Sequence, residues 1–401
     1  MLSNKQAEVL QSTKEDCIVF DIENIEHQYD RLQQAIPNLD IRFAIKSCPL
    51  DTVLNALSAR GAGFDAASPN EIIQALKTGT KVEKIHYGNT IKSNVQILTA
   101  FNLGIRDFAT DCINDTRAIA KHAPGSNVFC RIATDGKGAV WGLSKKFGCS
   151  LEESIRVLNE AKANGLQPAG ISLHIGSQQM EPSSWDKVFE ELEFVLRRLK
   201  DDGIKLKYIN LGGGLPASGY LDKSGNKLNP PINEIIVAIK SGMCRLQKSI
   251  GYSLNFIMEP GRYLVADFGV IKTHVVRLAE RVQPNGDKQN WLFLNSGKFN
   301  GLYETDALTY PVIFPNSRNT EDTIGVIIAG PTCDSDDVFN SEKSLINIPV
   351  DLKPGDPVWI LSCGAYSASY TTLGFNGFEP LTHKFVKESI FINIHGYKKI
   401  A

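Results

Sequence analysis

The sequence predicts an α/β protein: a (β/α)₈ TIM-like barrel over residues 24–262, joined to a C-terminal antiparallel β-domain built from 1–23 and 263–401. Three observations predict it. Between residues 24 and 262, short β-type runs alternate with stretches of helical spacing, the pattern of repeated βα units around a parallel sheet. After Arg262 the runs stay strand-like with no helical stretch between them. At 401 residues the chain also exceeds the size at which one core keeps growing.

In order, CIVFDI (17–22) adds a strand to the β-domain, and Asn24–Ala35 forms the first helix. Eight strands follow: IRFAIKS (41–47), GAGFDAA (61–67), KIHYGN (84–89), IRDFAT (105–110), NVFCRIAT (127–134), GISLHIGS (170–177), KYINLGGG (207–214) and NFIMEPGRY (255–263). Between them, Asn70–Leu76, Leu151–Ala163, Trp185–Leu199 and Asn233–Leu246 repeat apolar residues every three or four positions, as an amphipathic helix does. Eight such units in about 240 residues match the size of a (β/α)₈ barrel. The β-domain runs are VIKTHVVRL, NWLFLNS, YPVIFP, TIGVIIAG, PVWILSC and SIFINIH.

Composition narrows the function. Apolar residues make up 42% and charged residues 22%, so a packed core is expected. The formal net charge of −1, with no basic stripe, argues against a nucleic-acid partner. The first residues are polar and no run approaches a membrane span, so a cytoplasmic protein without a membrane partner is expected. Eight scattered cysteines show no metal-type spacing; most are read as buried thiols, and no metal is expected.

In such a barrel, reactive side chains sit at the carboxyl ends of the strands. Lys46 ends the first strand, Asp65 the second, His174 the sixth, Gly212, Gly213 and Gly214 the seventh, and Glu259 with Arg262 the eighth. Each has a plain alternative. Lys46 is either a snorkelling surface lysine or an amine made nucleophilic by desolvation at the barrel mouth. The glycines form either a tight turn or a backbone cradle for a phosphate. Glu259 and Arg262 make an ion pair, or else a carboxylate for a pyridine nitrogen and a guanidinium for phosphate. His174 is a satisfied interior histidine or a ring stacked on a flat cofactor. In the β-domain, GPTCDSDD sets Cys333 beside Asp334, and GAYSASYTTLGFNGF offers Tyr366.

FAIKSCP, FDAASPNEI, KKFG, LHIGS, NLGGGLP, EPGRYLVA, GPTCDSDD and GAYSASYTTLGFNGF, in that order, resemble the ornithine/lysine/diaminopimelate decarboxylase family of fold-type III, alanine-racemase-like pyridoxal enzymes. The resemblance runs from about residue 17 to 380 and implies pyridoxal 5'-phosphate as cofactor. It implies that Lys46 holds the cofactor covalently, that His174 stacks on its ring and that Glu259 pairs with the pyridine nitrogen. Ser177, Gly212, Gly213, Gly214, Arg262 and Tyr366 are implied phosphate ligands, with Asp65, Glu71 and Arg131 around Lys46 and the ring. Cys333 is implied as proton donor and Asp334 as receiver of a distal ammonium, both reaching a partner subunit's cofactor in a homodimer that Lys146 helps to hold. Glu304 and Asp306 stand, in a shifted setting, where relatives carry a Tyr-Asp pair, so either acid is a candidate for the distal amine. CDS after GPT favours ornithine to putrescine, in polyamine biosynthesis, with lysine to cadaverine next. Decarboxylation of diaminopimelate, or of a larger amino acid in a siderophore or secondary-metabolite pathway, is the main alternative. A racemase and a non-catalytic regulatory relative are the remaining ones.

Overall fold

The computed structural model describes residues 2–141, 146–222, 224–317, 322–341 and 344–387. The chain divides into two units, residues 28–216 with 230–263, and residues 1–27 with 217–229 and 264–401.

The first unit is a closed barrel of eight parallel strands: Leu39–Ala44, Gly63–Ala66, Ile85–Tyr87, Asp107–Thr110, Asn127–Arg131, Gln167–Ser172, Tyr208–Asn210 and Asn255–Met258, the last pairing with the first. Each of the eight expected strands is present. Inside the barrel, Ala109, Phe129, Ala169, Tyr208 and Ile257 pack as one cluster, so the cylinder is a filled core. In register, Ala44 lies beside Asp65 and Asp65 beside His86, which gathers polar groups from adjacent strands at one level.

The outer helices show why the sequence folds locally this way. Ser68, Ser93 and Ser150 each cap a helix by accepting from the backbone N–H three residues on, satisfying donors the helix leaves unpaired. Ser183–Asp201 buries Trp185, Val188, Phe189, Leu192, Val195, Leu196 and Leu199, an apolar stripe at intervals of three and four. Helix Ile232–Ile250 approaches it closely because Gly242 has no side chain: a Cβ there would run into the ring of Phe189. Gly251, at φ 73°, ends that helix in the left-handed conformation glycine adopts most readily.

The second unit is an eight-stranded sheet organised on the long strand Gly269–Val282. That strand pairs antiparallel with Cys17–Asp21, with Pro357–Ile360 and with Lys288–Leu294. The sheet is mixed rather than purely antiparallel, because Lys288–Leu294 runs parallel to Thr323–Ala329 and Cys17–Asp21 runs parallel to Thr382–Val386. The run 17–22 does contribute its strand here. The expected strand SIFINIH (389–395) lies outside the described residues.

The polar opening of the chain conceals a helix. Asn4–Ser12 starts with a capping box between Ser3 and Gln6 and buries Leu2, Ala7 and Leu10 against Cys17, Val19, Val270 and Trp359. Of the eight thiols, Cys17, Cys48, Cys130 and Cys363 are buried, Cys112 and Cys149 half-buried, Cys244 and Cys333 exposed, so burial holds for half of them. No helix among the described residues is long and apolar enough to cross a membrane.

Candidate active site

The first strand stops at Ala44 and turns through a 3₁₀ turn, Ile45–Ser47, fixed by the Ser47 hydroxyl donating to the Ala44 carbonyl at 2.8 Å. Ile45 and Ser47 are buried in this turn and Lys46 projects into solvent. The charge of Lys46 still reaches Asp65, Glu71 and His174.

The neighbouring strands supply a buried ionic cluster. Asp65, 7% exposed, sets Oδ1 3.2 Å from Nε2 of His86, which lies 2.9 Å from Glu259 Oε1. Burial raises the Asp65 carboxyl, but His86, Lys46 and Arg131 outweigh it and hold the group below its ordinary value, as an anion. Asn210 donates from Nδ2 to Glu259 Oε1 at 2.5 Å and accepts from Gly212 N at 2.9 Å, so one asparagine ties the carboxylate to the glycine loop. Neither His86 nor Asn210 figured in the sequence reading. The signals were there: a histidine at the centre of KIHYGN and an asparagine ending a strand two residues before the glycines.

The glycine loop is built for close approach. Gly212 and Gly214 have φ of 64° and 114°, and the Glu259 backbone N–H donates to the Gly212 carbonyl at 2.7 Å. A Cβ on Gly213 would lie 2.9 Å from the Glu259 carbonyl, and one on Gly214 2.7 Å from that of Gly176. Only bare backbone fits. Gln179 N donates to the Gly214 carbonyl at 2.9 Å, drawing the short strand Ser177–Gln179 alongside. Its first residue, Ser177, accepts at Oγ from Nε of the buried Arg262 at 3.2 Å. Backbone, hydroxyl and guanidinium thus converge as a phosphate cradle requires. Arg262 donates to Ser177, and Glu259 accepts from Asn210.

His174 is half-buried between Leu173 and Ile175, and the Thr134 hydroxyl donates to its carbonyl at 2.6 Å. Burial, then the charges of Lys46 and Arg131, push its imidazole down to about 3, so the ring is neutral. Glu71 has a structural task as well: its Oε2 accepts from Ala67 N at 2.6 Å at the start of helix Pro69–Lys77. Burial raises its carboxyl and the negative Asp65 adds to this. Arg131 ends the fifth strand with its guanidinium 5.2 Å from the Phe147 ring, and the Lys146 ammonium lies 4.9 Å from the same ring.

The remaining candidates belong to the β-unit. Cys333 and Asp334 are both exposed; Cys333 N donates to Asn376 Oδ1 at 2.9 Å and Asp336 N to Asp334 Oδ1 at 2.8 Å. Their loop is organised by buried Asp337, which accepts from Lys298 N, Thr332 N and the Thr332 hydroxyl. Asp306 is paired with Lys298, whose ammonium stands 2.7 Å from it and 3.3 Å from Asp336. Glu304 is buried, 5% exposed. Tyr366 has φ 66°, with its ring stacked on Tyr370 at 5.3 Å. Lys298 and Asp337 also escaped the sequence reading, because loop acids and lysines read as solvated until the fold packs them.

Comparison with known proteins agrees with this geometry. The pyridoxal-binding domain of the pyridoxal-dependent decarboxylases matches residues 22–266. The chain belongs to that family. It is 29% identical over 369 residues to a lysine/ornithine decarboxylase of Selenomonas ruminantium, covering 90% of this chain and 87% of the relative. To the ornithine decarboxylase of Neurospora crassa it is 26% identical over 393 residues, covering 90% and 78%. It superposes on the lysine/ornithine decarboxylase of Vibrio vulnificus, solved with putrescine, with a TM-score of 0.82, 25% identity and 96% and 99% of the two chains covered. The protein is a pyridoxal-phosphate-dependent amino-acid decarboxylase.

The residues present fit that cofactor. A cradle that a Cβ would fill lies next to a hydroxyl and a guanidinium, for the phosphate. The buried carboxylate of Asp65 and the half-buried one of Glu259, beside a neutral His174, provide the anionic side wanted by a protonated pyridine ring.

Proposed function

We propose that this chain decarboxylates a basic L-amino acid, with ornithine to putrescine the preferred reaction, lysine to cadaverine the second, and a homodimer as the active unit. The observation that carries the catalytic part is the convergence at one end of the barrel of Glu259, Asp65, His174 and the glycine cradle. The substrate class is supported by the ornithine and lysine/ornithine decarboxylases that the chain resembles over nine-tenths of its length.

In this reading the Gly212–Gly214 backbone, Ser177, Arg262 and Tyr366 bind the phosphate. Glu259 keeps a proton on the pyridine nitrogen, the neutral His174 lies against the ring face, and Asp65, Glu71 and Arg131 set the charge around Lys46. Pyridoxal phosphate supplies the carbonyl that captures the substrate amine and the sink for the electrons left by departing CO₂. Lys46 would hold the cofactor, its amine being the group that a substrate amine replaces. Cys333 delivers a proton from Sγ to the substrate Cα. Asp334 receives the distal ammonium through a charge-assisted hydrogen bond; Asp306, already engaged by Lys298, and the buried Glu304 are the alternatives. The site is shared across the dimer, with Cys333 and Asp334 serving the partner's cofactor and Lys146 supporting the interface. Eight unpaired thiols accord with a cytoplasmic setting.

The test is reconstitution with pyridoxal phosphate, borohydride trapping, and a panel of ornithine, lysine, diaminopimelate, arginine and 2,4-diaminobutyrate with each amine product measured. Trapping at Lys46, lost in Lys46→Ala, and putrescine as the leading product are expected. A colourless protein that traps nothing at Lys46 overturns the catalytic reading. A diaminopimelate or arginine preference overturns the substrate reading alone.

A further inference from the structure

His86 sits in the third barrel strand with no exposure, its ring 5.2 Å from that of Phe129. Filling the interior of a (β/α)₈ barrel requires only an apolar side chain at such a position. This chain instead places an imidazole near charged and polar groups from five other strands. The first strand contributes Asp40 and Arg42, the second Asp65, the fourth Asp107, the seventh Tyr208 and the eighth Glu259.

The contacts run in one direction. Arg42 is held by Asp40 at 3.0 Å, by Asp107 at 3.4 Å and by the Glu83 carbonyl at 3.3 Å, and Asp107 in turn accepts from the Tyr208 hydroxyl at 2.7 Å. Arg42 Nη1 lies 3.0 Å from His86 Nδ1. A guanidinium only donates, so Nδ1 accepts from it only in the tautomer with the ring proton on Nε2, and the imidazolium carries that Nε2 proton as well. Nε2 stands between Glu259 Oε1 and Asp65 Oδ1, at 2.9 and 3.2 Å, and is aligned squarely with neither. Burial opposes a charge on the ring, and the two carboxylates favour one strongly enough to raise it to about 9. Arg42 opposes the second proton too, since an imidazolium would set one N–H against another across 3.0 Å.

We propose that His86 is a positioning residue for the decarboxylation: oriented by Arg42, it aims its Nε2 proton at Glu259 and Asp65 and fixes the carboxylate that meets the cofactor ring. This rests on the assignment of Glu259 to the pyridine nitrogen. Asn210 donates to Oε1 of Glu259, and His86 Nε2 lies 2.9 Å from the same oxygen, so two N–H groups face that one atom. Without His86, Glu259 keeps Asn210 but loses the donor that reaches it from the opposite side of the barrel.

The experiment compares His86→Leu, His86→Gln and Glu259→Gln in the full chain. Glutamine retains a terminal N–H donor and a carbonyl for Arg42; leucine retains neither. The readouts are the dissociation constant of pyridoxal phosphate from the apoenzyme, the pH at which the bound cofactor's absorbance changes, and kcat against KM. His86→Leu is expected to weaken cofactor binding about 10-fold or more, the worth of one hydrogen bond to a charged group. It should also move the spectral transition and lower kcat with little change in KM, and His86→Gln should recover most of each loss. Parent-like cofactor affinity and spectral pH profile in both His86 variants would overturn the proposal. Equal loss in both with a fall in melting temperature would also overturn it, because that result marks a purely structural role. Should Glu259→Gln leave the absorbance transition unchanged, the reading of Glu259 fails and this inference falls with it. A collapse in Glu259→Gln beside an unaffected His86→Leu sinks the inference about His86 alone.

Discussion

The barrel unit and the β-unit hold their charged groups in opposite ways. In the barrel, Arg42, Asp65 and His86 are buried and face one another across strands. In the β-unit, Lys298 is buried but its partners Asp306 and Asp336 expose 71% and 74% of their side chains. A buried charge deprived of its partner keeps its desolvation cost, whereas an exposed one returns to water. The barrel cluster thus depends on partners that water does not replace, whereas the exposed partners of Lys298 can be compensated by solvent.

The sharpest way to break this contrast is Arg42→Met. It leaves Asp107, Asp40 and His86 without their buried cation and should cost about 3–5 kcal/mol in urea unfolding. A loss under 1 kcal/mol would show that water reaches the network. Next is Asp334→Asn, expected to raise KM for ornithine by the equivalent of about 2–4 kcal/mol with stability unchanged. An unaltered KM would remove Asp334 from the substrate site. Mixing Lys46→Ala with Cys333→Ala subunits should restore about a quarter of the parental activity if sites are shared across a twofold dimer, since only mixed pairs regain one intact site. No recovery would place each site within one chain.

A smaller effect concerns acid. The native imidazole of His174 is depressed to about 3 while an unfolded histidine titrates near 6.5, so below 6.5 the unfolded state binds the extra proton. Stability from His174 is then complete above about 6.5 and drains away as pH falls toward 3. Asp65, also depressed, adds a loss only at the acidic end of that range. His174→Phe should flatten the upper part of the stability–pH curve; an unchanged slope between pH 6.5 and 4 would contradict the neutral ring. The least effect is expected from Lys187→Gln, which breaks an exposed 2.6 Å pair with Asp135 and should leave the unfolding midpoint close to the parent's, closer still at high salt.

The eight barrel strands were legible because alternation of β-type runs with amphipathic stretches is local information. Their ends were less so. The run IRFAIKS reads as strand through Ser47, yet the strand stops at Ala44, because Ile45 is buried in a turn and composition alone does not separate a buried strand from a buried turn. The helix Asn4–Ser12 was hidden by its polarity; Gln6 is buried because its Nε2 donates to the Val19 and Phe268 carbonyls. Strand direction in the β-unit depends on partners far apart in sequence, so its two parallel pairings left no local trace. Lys46, Glu259 and the glycines stood out through their motifs. His86 did not, since its meaning comes from Arg42, Asp65 and Glu259, each on a different strand.

The placement of Cys17–Asp21 bears on how the polypeptide acquires its form. That segment is flanked on one edge by Gly269–Val282 and on the other by Thr382–Val386. During synthesis it has no neighbour to zip against until Gly269–Val282 is made, and its second neighbour, Thr382–Val386, follows later still. Every element of the barrel unit is made in the interval, so the cylinder is free to close first. Completion of the mixed sheet becomes the slow, late event, with an unsatisfied apolar strand waiting in the meantime.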